Sequence, residues 1–136
     1  MTDVVVDASV WVSRLVDSDI HHARCQSWMQ SQASEGGLLV APVLVLAEVA
    51  GAISRRTNRP NLARQAVEVL QALPNLRLVS MDPALAGLAA GLAGDHALRG
   101  ADAVYVATAA QLGLPLVTLD SEQLWRATDI VSTSSP

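Results

Sequence analysis

LRGADAVYVATAAQLGLPLVTLDSEQL, residues 98–124, decides the fold. From Gly100 to Leu112 small and apolar residues run at helical spacing, Gly113 is a stop signal, Pro115 to Thr118 reads as a strand, and Asp120 precedes a helix over Glu122 to Ala127. A helix that feeds an apolar strand, which hands on to another helix, is the unit of a parallel sheet covered on both faces. Working outward, strands are predicted at Val4–Val6, Leu38–Ala41, Leu76–Val79 and, weakly, Ile130–Val131. Helices are predicted over Ser9–Val16, His22–Gln32, Val43–Arg56, Leu62–Leu73 and Pro83–Ala93, with Pro42 and Pro83 in first turns, Asn61 as a cap and Pro74 as a stop. The fold class is α/β with about five strands. One domain is expected over residues 1–131, followed by a short tail, 132–136.

Composition narrows the function. At 51% hydrophobic and 16% charged residues the 136-residue chain cannot be disordered. A mean hydropathy of +0.32 exceeds what such a domain buries, so apolar surface is expected to meet a partner. The longest charge-free stretch, Ala103–Leu119, is shorter than the ~20 apolar residues of a membrane span, so no membrane association is expected. MTDVVVDAS carries Asp3 and no basic residue before its apolar run, unlike a signal peptide, and a cytoplasmic location is expected. Cys25 stands alone, which excludes an internal disulfide and a multi-thiolate zinc site and leaves it as a packing residue. All nine basic residues are Arg; thirteen acids bring the net charge to −4, so the chain as a whole is no polyanion binder. Gly87, Gly91 and Gly94, in PALAGLAAGLAG, are placed as packing positions where helices approach closely.

Four acids stand against segments that should be buried: Asp7 after VVV, Glu48 within VLVLAEVAGAI, Asp102 in GADAVYVATAA and Asp120 after PLVTL. Isolated buried carboxylates cost several kcal/mol or take up a proton, so ionised ones need a cation. Each aspartate also begins a helix, where N-capping contributes ~1 kcal/mol, and Asp120 with Gln123 resembles a capping box; taken singly, capping and a ligand role both stand. Glu48 is read as lying about two turns into its helix, where no cap can form, which favours a partnered role. Ligands of open parallel sheets bind outside the carboxyl ends of the strands, the edge these acids share. A carboxylate cluster without His or Cys suits one or two Mg2+ or Mn2+ ions, which can activate water and stabilise the leaving oxygen of a phosphodiester. Without these four, nine acids balance nine Arg, so the whole net charge is assignable to one pocket. Ser9 and Thr118 are placed around the carboxylates as hydrogen-bonding hydroxyls, or as plain cap and strand-end residues.

The series VVVDAS, VLVLAEVAGAI, LRGADAVYVATA and LVTLDSEQL resembles the PIN-domain ribonucleases, in particular the VapC toxins of bacterial type II toxin–antitoxin modules, over nearly the whole chain. The family's acids fall on Asp7, Glu48, Asp102 and Asp120, its strand-end hydroxyl on Thr118 and its Ser or Thr slot on Ser9. The resemblance implies a PIN-like three-layer sandwich with strand order 3-2-1-4-5, a homodimer, cleavage of structured RNA, and inhibition by a VapB-type antitoxin. After Asp120 many members carry an acid two residues on and then an aromatic; here Glu122 is followed by Gln123 and Leu124, and Glu122 is placed as an assisting acid.

Arg55, seven residues beyond Glu48 in the stretch RRTNR, is either an RNA phosphate contact or a solvated helix end, and Arg99 is a contact for phosphate or for a carboxylate. His21, His22 and His96 lack metal spacing, and the aromatics are too few and scattered for a base-stacking platform; Trp11 and Trp28 read as core or interface. A phosphoacceptor receiver needs a Lys, which is absent, and a haloacid-dehalogenase-type phosphatase needs an Asp where Ser9 stands. The remaining alternatives are a non-catalytic PIN-like module that binds RNA or protein, and a DNA-directed nuclease of related fold.

Overall fold

The computed structural model describes residues 2–136. In chain order the elements are β1 (Val4–Val6), α1 (Ala8–Leu15), α2 (His22–Ser34), β2 (Leu39–Pro42), α3 (Val45–Thr57), α4 (Pro60–Ala72), β3 (Leu76–Val79), α5 (Pro83–His96), α6 (Gly100–Leu112), β4 (Leu116–Val117), α7 (Ser121–Ala127) and β5 (Thr133–Ser134). All pairings are parallel, in the order β3-β2-β1-β4-β5, with Val5 opposite both Val40 and Leu116. The three valines of β1 are buried because this strand is central and covered on both sides.

The order reverses at β1. Chain growth runs from β1 out to β3, then crosses back through α5 and α6 to β4. With right-handed crossovers this puts α1–α4 on one face and α5–α6 on the other, a three-layer α/β sandwich. The packing agrees: α1 meets α2 and α3, α3 meets α4, and α6 lies on β1, β2 and β4 with α5 outside it. Seven successive residues of α6, Ala103–Ala109, are buried, which is why its sequence shows no polar face. No helix among the described residues is long and apolar enough to cross a membrane.

Several boundaries differ from the sequence expectation. The fifth strand falls at Thr133–Ser134, inside the stretch assigned to a tail, and not at Ile130–Val131. Leu116 and Thr118 donate backbone hydrogen bonds to Ser132 and Ser134, whereas the Ile130 and Val131 amides turn back to the Ala127 carbonyl. A two-residue edge strand needs only backbone partners, so hydrophobicity gives no sign of it. Pro42 ends β2 and begins no helix, and Asn61 lies inside α4, because Pro60 takes the first helical position and Arg59 the cap. Gly87, Gly91 and Gly94 face open space, so no helix approaches them; α5 buries Leu85 and Ala89 instead. Cys25 and Trp11 are core residues as expected, and Trp28 packs against the core.

Candidate active site

Each of the four acids stands at the positive end of a different helix. Asp7 follows β1 and caps α1, its Oδ2 accepting a hydrogen bond from the Ser9 amide at 3.0 Å. Asp120 follows β4 and caps α7, its Oδ1 accepting from the amides of Glu122 (2.9 Å) and Gln123 (3.2 Å). Asp102 lies in the first turn of α6. Glu48 lies in the first turn of α3, not two turns in, because that helix begins at Val45. The four helix dipoles thus offset part of the repulsion, each by ~0.3–1 kcal/mol at an exposed site and more where water is excluded. Capping and clustering are not alternatives here, since Asp7 and Asp120 spend one oxygen on the cap and keep the other.

Thr118 joins the strand ends. Its hydroxyl lies 3.2 Å from Asp7 Oδ2, 3.0 Å from Gln123 Oε1 and 3.3 Å from Ser9 Oγ, and it accepts from the Asp120 amide at 3.1 Å. A hydroxyl has one proton, so Thr118 donates to Asp7 or to Gln123 but not to both at once. The Ser9 hydroxyl accepts from the Leu119 amide at 3.1 Å, clamping the end of β4 onto the start of α1. Gln123 is buried and donates through Nε2 to the Asp102 carbonyl at 3.3 Å, which ties α7 to α6. It does not reach back to Asp120 as a capping box would; Thr118 takes that amide. Sequence reading saw Gln123 only as a cap partner, and its burial in a polar network had no sequence signal.

The electrostatics bring the acids together. Burial, and then the charges of Asp7 and Asp120, push the Asp102 carboxyl up from 3.8 to about 6, with Glu48 adding to the rise and Arg99 opposing it. Burial also raises Asp7, against hydrogen bonds from Ser9 and Thr118, and Asp120 raises it further. Glu48 is raised by burial and by Asp7, and lowered by the nearby Tyr105 hydroxyl. Tyr105, which sequence reading passed over as part of an apolar helix, is fully buried one turn beyond Asp102. Burial and then Glu48 push its hydroxyl far above the ordinary tyrosine range. Tyr105 Oη and Glu48 Oε1 are close enough to affect each other, yet no well-aligned hydrogen bond joins them and neither has another partner.

Among the described residues no three Asp, Glu, His or Cys side chains already close on a common point at metal-ligand distance. The arrangement is a set of coupled anions whose unused oxygens are available, not a finished cage. Those oxygens and the orphaned Oε1 of Glu48 form an all-oxygen donor set that fits a hard divalent cation. Ser9, His21, Glu48, Arg55, Arg56 and Asp120 share a cleft of about 400 Å³. Arg56 is tied to Asp19 at 2.8 Å, and the Arg55 guanidinium lies back over Gly51, 3.1 Å from where a Cβ would stand. Arg99 sits 3.7 Å from Glu122 Oε2, and Glu122 Oε1 is bound to Arg126 at 2.9 Å on the exposed face of α7, so both Glu122 oxygens face arginines. His22 binds the Ser13 carbonyl at 3.0 Å. A separate hollow of about 410 Å³ between α1, α3 and α4 is mainly apolar, with Asp17 and Gln65 among its walls, and holds none of the four acids.

No curated protein matches the sequence at a significant level. Solved structures do. VapC20 of Mycobacterium tuberculosis, a sarcin-ricin loop cleaving toxin, superposes with a TM-score of 0.78 at 18% identity, covering 89% of this chain and 92% of its own. VapBC2 of Rickettsia felis, bound to a promoter DNA fragment, gives 0.74 at 12% identity over 96% of both chains. A toxin–antitoxin complex from Klebsiella pneumoniae gives 0.64 at 14% identity over 90% of both. At such identities the likeness is one of fold. The model of the PIN domain, however, matches the sequence itself over residues 4–129, from β1 through α7 and so across all four acids, and on that match the chain belongs to the PIN-domain family.

Proposed function

We propose that this protein is a metal-dependent endoribonuclease, the toxin of a toxin–antitoxin pair. The observation that carries the reading is the gathering of four acids on four helix starts at one sheet edge, where burial and then neighbouring negative charge raise Asp7, Glu48 and Asp102, the last to about 6. A protein gains no stability from that crowding, so it is maintained for a cation. Asp7, Glu48, Asp102 and Asp120 would hold one or two Mg2+ or Mn2+ ions. A bound ion would lower the pKa of the attacking water and screen charge building on the scissile phosphate.

The chain's own residues do the rest. Ser9 and Thr118 fix the direction of the Asp7 carboxylate, and the Asp120 cap leaves one of its oxygens toward the cleft. Arg55 is the cleft's contact for an RNA phosphate. Arg99, held toward Glu122, moderates the charge at Asp102. Hydrolysis by water needs no covalent enzyme intermediate. RNA as substrate is supported by the resemblance in sequence and by the sarcin-ricin loop cleaved by the toxin of similar fold. A VapB-type antitoxin is supported by the toxin–antitoxin complexes of similar fold. A second copy of the chain and the antitoxin would cover exposed Ile20 and Val69, and a cytoplasmic setting follows from such partners.

Cleavage of a structured RNA, followed by gel with Mg2+, with Mn2+ and with EDTA, tests the reading. Cleavage is expected only with metal and should fall at least ~100-fold in Asp7→Asn and Asp102→Asn. Undiminished cleavage by both variants, tight RNA binding without cleavage, or preference for a DNA hairpin of the same sequence would overturn it.

A further inference from the structure

Trp125 is 75% exposed on α7, while Trp11 is buried and Trp28 packs on the core. One cation lies over the ring. The Arg126 guanidinium carbon lies 5.7 Å from its centroid, Arg126 is bound to Glu122 at 2.9 Å, and Glu122 reaches Arg99 at 3.7 Å. A large apolar ring left in water forgoes ~1.5–3 kcal/mol of burial, a cost that a ligand would recover. Beside it opens a hollow of about 480 Å³ whose further walls include Asp95, His96 and Asp129.

The chemistry of these walls selects the ligand. A flat aromatic face next to carboxylates suits a planar group with N–H donors on its edge, as an amino-bearing nucleobase has. Besides Trp125 only Ala97 is apolar in this lining, too little for an apolar protein side chain to pack on, and a phosphate would meet Asp95 and Asp129. Arg99 lowers the Asp102 carboxyl and reaches Glu122, which binds the Arg126 that lies against the Trp125 ring, so a chain of charged contacts leads from the acids to the ring and a base stacked there belongs to the RNA flanking the scissile bond. Arg126 at the ring and Arg99 near Asp102 are the cations available to that nucleotide's phosphate.

We propose that Trp125 and the hollow beside it form a subsite that stacks one nucleobase of the RNA flanking the cleaved bond, with Asp95 and Asp129 accepting from an adenine or cytosine amino group. The subsite deepens the endoribonuclease reading and rests on it. It is a single-base contact, not the multi-aromatic platform that the sequence excludes.

The test uses the full chain in EDTA, so that binding is read without cleavage. Short oligoadenylate, oligocytidylate, oligouridylate and an abasic oligomer are titrated against tryptophan fluorescence and, in parallel, as labelled competitors in polarisation. Adenylate and cytidylate should quench saturably and more strongly than uridylate. Trp125→Leu should abolish the quenching and weaken binding about 10-fold, equivalent to ~1.4 kcal/mol, while Trp125→Phe, which still stacks, stays within about 3-fold. Abasic oligomer binding as well as oligoadenylate, Trp125→Leu binding as the parent does, or shielding of Trp125 by protein concentration alone would overturn the subsite. If metal-loaded protein cuts no RNA yet Trp125→Leu loses oligoadenylate, the subsite stands and the endoribonuclease reading falls. If it cuts and Trp125→Leu binds and cuts unchanged, the reverse holds.

Discussion

Replacing Asp102 by Asn should make the metal-free protein more stable at neutral pH. The Asp102 carboxyl is raised from 3.8 to about 6 by burial and by Asp7 and Asp120, so the folded state holds this proton more tightly than the unfolded state does. For a raised acid the sign is fixed: stability is fully present below 3.8 and is lost as pH climbs through 6. That interval corresponds to a ceiling of ~3 kcal/mol, and because Asp102 is only half-buried, solvent screening reduces it to ~1.5 kcal/mol. Asn mimics the protonated carboxyl. In EDTA near pH 7.5, Asp102→Asn should therefore gain ~1.5 kcal/mol in urea unfolding, or roughly 5 °C in Tm for a chain of this size. Near pH 4 the gain should shrink to nothing. Saturating Mn2+ should reverse the ranking, since only the parent regains stability by binding it. No gain at pH 7.5, or a gain of equal size at pH 4, would refute the reasoning that crowded charge resides at this site.

Thr118→Val removes a hydroxyl on which Asp7, Gln123 and the Asp120 amide all depend, and should cost ~2–3 kcal/mol by urea unfolding, with Thr118→Ser within ~1 kcal/mol of the parent. Tyr105→Phe removes the hydroxyl that holds the Glu48 carboxyl down, so Mn2+ binding followed by calorimetry should weaken several-fold near pH 6 and converge with the parent near pH 8.5. Arg55→Ala should raise KM for RNA about 10-fold with kcat nearly unchanged, and the salt dependence of binding should become shallower.

The fold was legible where burial is complete. VVV at β1 and the unbroken apolar run of α6 could only be interior, and the sheet order implied by the family resemblance is the order observed. Legibility failed where backbone geometry decides. β5 is made where serine carbonyls accept from the amides of Leu116 and Thr118, and the start of α3 shifts by two residues because Pro42 completes a sheet pairing with Val79. The four acids were visible as charges in apolar context. Tyr105 and Gln123 were not, since a hydroxyl tip on a buried ring and an amide after a capping Asp both look ordinary until α3, α6 and α7 converge on them.

The four acids come from positions 7, 48, 102 and 120, each delivered by a separate strand or helix start. Any fragment that holds the whole set must run from Asp7 to Asp120. The last member arrives only after α5 and α6 have crossed back over the sheet to lay β4 beside β1. For the proposed nuclease this means that the cutting centre is absent until the final sixth of the chain has been made and laid against β1.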